Sequence, residues 1–156
     1  MSLLLLLKTL HILGATVLLG TGAGIAFFLL MAHRTHDPRL VAHTAGVVVI
    51  ADTLFTATTV VVQPITGGGL ALLHGYPIFS GWVAISLALY LFVGACWLPV
   101  VWIQLRMRDL ARAAAATNAP LPPLYYRLWR VWFALGFPAF AGVVAIVWMM
   151  VARPNV

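Results

Sequence analysis

The chain has 156 residues, of which 63% are hydrophobic and only 8% are charged. An ordinary soluble domain is about 45–50% apolar and about 25% charged, so this composition leaves too little polar surface to cover a water-soluble globule. The formal net charge is +6, and the single cysteine, Cys96, excludes an internal disulfide and a cysteine-rich metal site.

Four apolar segments are long enough to cross about 30 Å of hydrocarbon as helices. They cover about residues 3–31, 39–62, 80–105 and 124–152. Strands of a membrane barrel would be about 10 residues long with alternating hydrophobicity, and no such pattern occurs. The sequence therefore predicts an all-α integral membrane four-helix bundle, with residues 1–156 forming a single transmembrane domain.

The first two spans carry ionisable residues that a membrane normally excludes. Lys8 and His11 lie three positions apart on one helical face of span one, and Asp52 is the only formal charge of span two. An ionisable group inside a span is expensive, and its default interpretation is functional. With span two ending near residue 62, His11 and Asp52 are both expected at about 12–15 Å from the outer side, and Lys8 is expected level with Thr56.

Polar residues also follow one face of spans two and three. Asp52, Thr56, Thr59 and Gln63 are spaced as one helical face, and Trp82, Ser86 and Tyr90 recur every four residues. These faces predict a polar pocket open to the outer side, with Lys8, His11 and Asp52 at its floor. The alternative is structural: Lys8 pairs with Asp52 or extends outward, and the threonines bond carbonyls of their own helix.

The segment between spans two and three, Gln63 to Phe79, is predicted as an outer loop. It opens with Gln63-Pro64-Ile65-Thr66-Gly67-Gly68-Gly69, which indicates a helix stop. The tryptophans Trp97, Trp102, Trp129 and Trp132 are typical of interface anchors and packing.

The basic residues predict the orientation. Seven of the nine lie at one face: Arg34, Arg39, Arg106, Arg108, Arg112, Arg127 and Arg130. The positive-inside rule assigns this face to the cytoplasm and both termini to the periplasm of a bacterial inner membrane, crossed several times by the chain. This signal accounts for the net charge, and nucleic-acid binding is excluded because it needs a folded basic domain.

The histidines offer two sets of iron or metal ligands. His74, in the outer segment, could reach over the pocket toward His11 and give two axial nitrogens on one side of the membrane. His33 and His43, near the inner interface, form an alternative inner site. Asp52 is predicted to orient His11, since a carboxylate beside a ligating histidine fixes its tautomer. The cofactor-binding candidates are His11, His74, Asp52, Lys8, Gln63, Ser86 and Tyr90.

Four stretches resemble a bacterial family of predicted four-span integral membrane proteins, a domain of unknown function. They are residues 8–12 (KTLHI), 63–68 (QPITGG), 97–104 (WLPVVWIQ) and 150–154 (MVARP). The chain is also distantly similar to the haem-containing HemJ-type protoporphyrinogen oxidases and the CopD copper-resistance membrane proteins. That similarity implies that His11 is a haem b ligand. Ser86 replaces an expected lysine and residues 27–30 lack an expected arginine, so haem binding is implied more strongly than the oxidase reaction.

The leading hypothesis is a small haem b redox protein that passes electrons between a membrane quinol or partner subunit and an outer acceptor. A second hypothesis is a non-catalytic subunit of a larger complex or oligomer, packed through the small residues Gly20, Gly22 and Gly24. A third is a copper or proton-coupled transporter that uses Lys8, His11 and Asp52. Whether the protein is an enzyme is left open.

Overall fold

The structure is a computed structural model that describes residues 2–154. The α-helices of this part of the chain are α1 (Leu3–Thr35), α2 (Pro38–Ala51), α3 (Ala57–Leu73), α4 (Gly81–Ala116) and α5 (Pro123–Ala152). A π-helical turn, Asp52–Thr56, joins α2 directly to α3, so that both belong to one span. All four spans are long and apolar enough to cross a membrane, which confirms the predicted all-α membrane architecture.

The two ends of the bundle differ in charge. The α1–α2 and α4–α5 connections meet at one end, where the Arg39 guanidinium donates to Asn118; we call this the basic end. At the other end, the Arg153 guanidinium lies 3.4 Å from the Tyr76 hydroxyl, so the last turn of α5 meets the α3–α4 connection. We call this the open end.

Packing is dense near the basic end and looser toward the open end. Buried side chains of α1, α2, α4 and α5 form one apolar core there, including Leu29, Val41, Met107 and Tyr125. Along the second span, α2 packs on α4, whereas α3 packs mainly on α1. Since α3 stays with α1 while α5 follows α4, the two pairs of helices separate toward the open end.

The predicted end of span two at residue 62 is wrong, because the helix continues to Leu73. Pro64 lies inside α3 and lacks the N–H that would bond the Val60 carbonyl. The Tyr90 hydroxyl of α4 donates to that carbonyl instead. A proline is tolerated inside a membrane helix when another group bonds the freed carbonyl, so the sequence around Pro64 is not a helix stop.

The glycines that follow Pro64 are packing positions of the helix. A Cβ on Gly67 would lie 2.9 Å from His11 Cε1, and one on Gly69 would lie 3.1 Å from Leu7 Cδ1. Helices in membranes approach closely where one of them carries small residues. The glycine run therefore brings α3 against α1, and the outer connection shortens to the residues between Leu73 and Gly81.

Gly142 makes the corresponding close contact between α5 and α4. A Cβ there would lie 2.5 Å from Val93 Cγ2, and a β-branched side chain in a helix has little freedom to rotate away. We expect Gly142→Ala to lower the free energy of unfolding by about 1–3 kcal/mol, measured by denaturation in detergent. Gly136→Ala, on the same helix with no atom within 4 Å, is the control and should not be destabilised. Equal stability of both variants would contradict this packing.

Candidate functional site

A cavity of about 870 Å³ lies between the α1–α3 pair and the α4–α5 pair. Its volume falls in the range of about 300–1,000 Å³ that is usual for small-molecule sites. Its walls are predominantly apolar. At the open end it is bordered by Lys8, His74, Tyr76 and Arg153, which we call the mouth. At its deepest part it is bordered by Asp52, Thr56, Trp97, Gln104 and Trp132, which we call the floor.

The structure places all seven candidate cofactor-binding residues on the wall of this cavity. They are Lys8, His11, Asp52, Gln63, His74, Ser86 and Tyr90. Three different spans contribute them, so the chain must fold before they can share one space. Their roles in binding stay predictions.

His11 is held by Thr66 of the neighbouring helix. Its Nδ1 lies 2.9 Å from the Thr66 hydroxyl oxygen. That hydroxyl donates its own proton to the Val62 carbonyl at 2.9 Å, so it accepts from His11. The network assigns the proton of the neutral imidazole to Nδ1 and leaves the Nε2 lone pair free. His11 thus has the tautomer that a metal-ligating histidine needs.

His74 has the same tautomer at the mouth. It follows the last residue of α3, is exposed, and its Nδ1 lies 2.9 Å from the Leu70 carbonyl oxygen. A carbonyl only accepts hydrogen bonds, so Nδ1 carries the proton and Nε2 is free. His74 also stacks on Tyr76, with ring centroids 5.9 Å apart. It lies seven residues beyond Gly67, which is about 10 Å nearer the open end than the contact of His11 with α3.

The predicted common depth of His11 and Asp52 is wrong. Gln63 Nε2 donates to the His11 carbonyl at 3.0 Å, and the His11 ring packs on Gly67, so His11 is level with residues 63–67. Asp52 lies 11 residues before Gln63, which places it about 16 Å deeper toward the basic end. The expected depth failed because it was measured from a helix end at residue 62, whereas α3 continues to Leu73.

Two side-chain pairings that were predicted from this common depth are therefore wrong as well. Thr66, and not Asp52, orients the His11 ring. Lys8 is exposed and near the mouth, one residue from the contact of Leu7 with Gly69, so it is level neither with Asp52 nor with Thr56. Within residues 2–154 the ion pair that forms joins Arg108 to Asp109. Of the three residues predicted at the floor, Asp52 alone lies there.

The floor is a buried hydrogen-bond network around Asp52. The Trp97 indole N–H donates to Asp52 Oδ1 at 3.2 Å. The Gln104 amide, oriented with its nitrogen toward the carboxylate, donates to Asp52 Oδ2 at 3.2 Å and accepts from the Trp132 indole N–H at 3.2 Å. Asp52 is only 5% exposed. A buried carboxylate needs such donors, so spans two, three and four are tied together at this depth.

The remaining polar candidates bond backbone carbonyls. The Ser86 hydroxyl donates to the Trp82 carbonyl at 2.9 Å, and the Tyr90 hydroxyl donates to the carbonyl freed by Pro64. Thr59 donates to the Phe55 carbonyl at 2.6 Å, as the structural alternative predicts. Thr56 differs, because its buried hydroxyl has no hydrogen-bond partner.

The alternative inner pair of histidines lies outside the cavity lining. His33 stacks on Trp129 with ring centroids 3.9 Å apart, and its Nδ1 lies 3.2 Å from the Tyr125 hydroxyl. His43 is exposed. In the part of the chain that the structure describes, no three His, Cys, Asp or Glu side chains cluster as a metal site would require.

Trp97, Gln104 and Trp132 are site residues that sequence reasoning missed. Trp97 and Trp132 were both interpreted as interface anchors and packing, and Gln104 was noted only as part of the stretch at residues 97–104. A signal was nonetheless present, since Tyr90, Trp97 and Gln104 are spaced by seven residues and therefore share a helical face with Ser86. Extending the polar face of span three inward would have found two of the three.

Comparison with known proteins assigns the class of the molecule. Residues 5–154 match the family described as Predicted integral membrane protein (DUF2269). No curated protein and no solved structure matches the chain. The match covers all four spans and agrees with a bundle of membrane-length apolar helices.

Proposed function

We propose that this chain, which belongs to the DUF2269 family of predicted integral membrane proteins, is a small haem b electron-transfer protein. The proposal rests on the hydrogen bonding and the tautomer of His11. Its Nδ1 is bonded to Thr66, which leaves Nε2 free on the wall of a large apolar cavity. A histidine so held is the usual protein ligand of a buried iron.

The other residues of the cavity fit a porphyrin. The apolar walls suit its ring, and Lys8 and Arg153 at the mouth suit its carboxylates. His74 is the second candidate ligand because its Nε2 is also free. Haem supplies a one-electron redox couple when it is bound. Thr66 fixes the imidazole and increases its basicity, and the apolar walls exclude water, which tunes the potential.

The proposal also includes the orientation of the bundle in the membrane and its location in a bacterial inner membrane. Seven of the nine cations lie in or near the connections at the basic end, so the positive-inside rule assigns that end to the cytoplasm of a bacterial inner membrane. The mouth and both termini then face the periplasm. Electrons would pass from a membrane quinol or a partner subunit to an acceptor at the outer face.

An absorption spectrum tests the proposal directly. Protein purified in detergent is expected to show a Soret band that shifts on reduction with dithionite. His11→Ala should lose the band because the iron loses its ligand, and His74→Ala should weaken or shift it. His36→Ala, in the exposed α1–α2 connection, is the control and should leave it unchanged. A band lost in His33→Ala but kept in His11→Ala would move the haem to the inner pair.

A folded wild-type protein that does not bind added haem would overturn the proposal. The accessory-subunit alternative would then be favoured, and one observation already supports it: Gly20 is exposed, lies outside the cavity lining and has no atom within 4 Å of a built Cβ. A small residue on the surface of a membrane helix suits close packing with a partner, which should co-purify in mild detergent. The transporter alternative predicts ion uptake that depends on Asp52.

A further inference from the structure

We propose that the floor of the cavity binds the ring of a membrane quinone and of its quinol, with the Thr56 hydroxyl as donor to a quinone carbonyl and the Asp52 carboxylate as acceptor from a quinol hydroxyl. Thr56 lies about 10 Å deeper than the level of His11, and Asp52 lies about 16 Å deeper. This site goes beyond the haem proposal and does not require it.

The Thr56 hydroxyl is a buried polar group without a partner. Thr56 is only 8% exposed, and its Oγ1 has no hydrogen bond. Thr53 and Thr59 on the same span each donate to the carbonyl four residues earlier. In the π turn the Asp52 carbonyl accepts from the Ala57 N–H, and the Thr56 hydroxyl does not bond that carbonyl. A buried hydroxyl left free on a cavity wall indicates a group that arrives from outside the chain.

The Asp52 carboxylate is oriented but not saturated. Trp97 and Gln104 each donate to one of its oxygens, and a carboxylate has about four acceptor positions. The Thr56 hydroxyl lies close to this carboxylate, and no group of the described chain forms a hydrogen bond of ordinary length and angle with that hydroxyl. The floor therefore offers a fixed acceptor and a free hydroxyl next to each other. A quinol hydroxyl can donate to the first, and a quinone carbonyl can accept from the second.

The charges of the side chains that line the cavity favour a ligand whose head group is neutral. The two cations that line the cavity, Lys8 and Arg153, belong to the mouth. Nothing at the floor would compensate a phosphate or a fatty-acid carboxylate beside Asp52. A ligand that reaches this depth must be apolar for most of its length and carry neutral oxygens at its inner end, as membrane quinones do.

The cavity can accommodate both the flat ring and the apolar tail of a quinone. Trp97, Trp132 and Phe133 line its deep part, and aromatic side chains favour stacking with a flat ring. Lining residues of α1 and α5 are also exposed on the surface of the bundle, among them Phe27 and Phe137. That surface faces lipid. A ligand can therefore enter from the bilayer between α1 and α5, and its tail can remain there.

Binding of decylubiquinone to the purified full-length protein in detergent, followed by calorimetry, tests the inference. Wild-type protein should bind one equivalent saturably. Thr56→Val should weaken binding of decylubiquinone about tenfold, and Asp52→Asn should weaken binding of its reduced form, decylubiquinol, about tenfold, because each change removes or weakens one hydrogen bond to that form of the ligand. Thr58→Val, an exposed neighbour on the same span, is the matched control and should bind as wild type does.

Two further measurements separate a ligand site from a structural one. Thr56→Val should keep or raise the thermal midpoint, because the hydroxyl has no partner to lose, while it still weakens binding. His11→Ala should leave quinone binding unchanged, so failure of the haem proposal would not affect this one. Absence of saturable binding to folded wild-type protein, or equal affinities of the Thr56→Val and Thr58→Val variants, would overturn the inference. If Asp52→Asn does not fold, Thr56→Val decides alone.

Discussion

Replacing Gln104 by leucine is expected to lower the free energy of unfolding by about 2–5 kcal/mol. The change leaves Asp52 Oδ2 and the Trp132 indole N–H without the partner that now serves both. Each buried polar group that loses its hydrogen bond costs about 1–3 kcal/mol. Both residues remain buried in the variant, because Asp52 is 5% exposed and Trp132 is also 5% exposed in the native fold.

A double-mutant cycle with Trp132→Phe measures this effect. Trp132→Phe removes the indole N–H but keeps an aromatic ring in the core. Adding Gln104→Leu to it should cost clearly less than adding Gln104→Leu to the wild-type protein, since one of the two unpaired groups is already gone. Unfolding of both series in detergent gives the four free energies. Strictly additive losses would show that Gln104 does not connect Asp52 to Trp132.

Gly67→Ala is expected to weaken haem binding by about 10–100-fold, the usual loss when the group that orients a ligating histidine is disturbed. The new methyl group would lie 2.9 Å from His11 Cε1 and 3.6 Å from Nδ1. The imidazole must move away, and the bond from Nδ1 to Thr66 lengthens or breaks. Titration of the purified protein with haem, followed at the Soret band, gives the affinity.

Gly68→Ala is the matched control, because the next residue of the same helix has no atom within 4 Å of its built Cβ. It should keep the contact between His11 and Thr66 and gain about 0.5–1 kcal/mol of stability from the loss of a helical glycine. A second measurement does not depend on haem: the thermal midpoint of Gly67→Ala should lie below that of Gly68→Ala. Identical behaviour in both would contradict the packing of His11 on α3.

The sequence could predict which site residues lie on the same face of a helix, because the helical period fixes the direction of each side chain around the helix axis. Asp52, Thr56, Thr59 and Gln63 were expected on one face, and each is less than a tenth exposed. Ser86 and Tyr90 were expected on a facing helix, and they border the same cavity. The spacing of residues along a helix is fixed by its geometry, so these placements needed no knowledge of the neighbouring helices.

The depth of each residue, measured along the bundle from its open end, could not be predicted in the same way. It depends on where a helix ends, and residues 63–69 contain the proline and glycines that end helices in water. In this bundle the Tyr90 hydroxyl bonds the carbonyl that Pro64 frees, and the glycines admit His11 and Leu7. Both compensations come from other helices, so no local signal could reveal them. The error moved Asp52 by about 16 Å relative to His11.

Length, hydropathy and the scarcity of charge were sufficient to identify the chain as an all-helical membrane protein with four spans. The residue types also identified the ionisable side chains that the membrane should exclude, namely Lys8, His11 and Asp52. The partners of those side chains became known from the folded bundle alone. In the bundle His11 bonds Thr66, Lys8 lies at the mouth, and Asp52 accepts hydrogen bonds from Trp97 and Gln104. The reason is that a hydrogen bond between helices depends on their relative register, which is fixed by side-chain packing and not by the period of either helix.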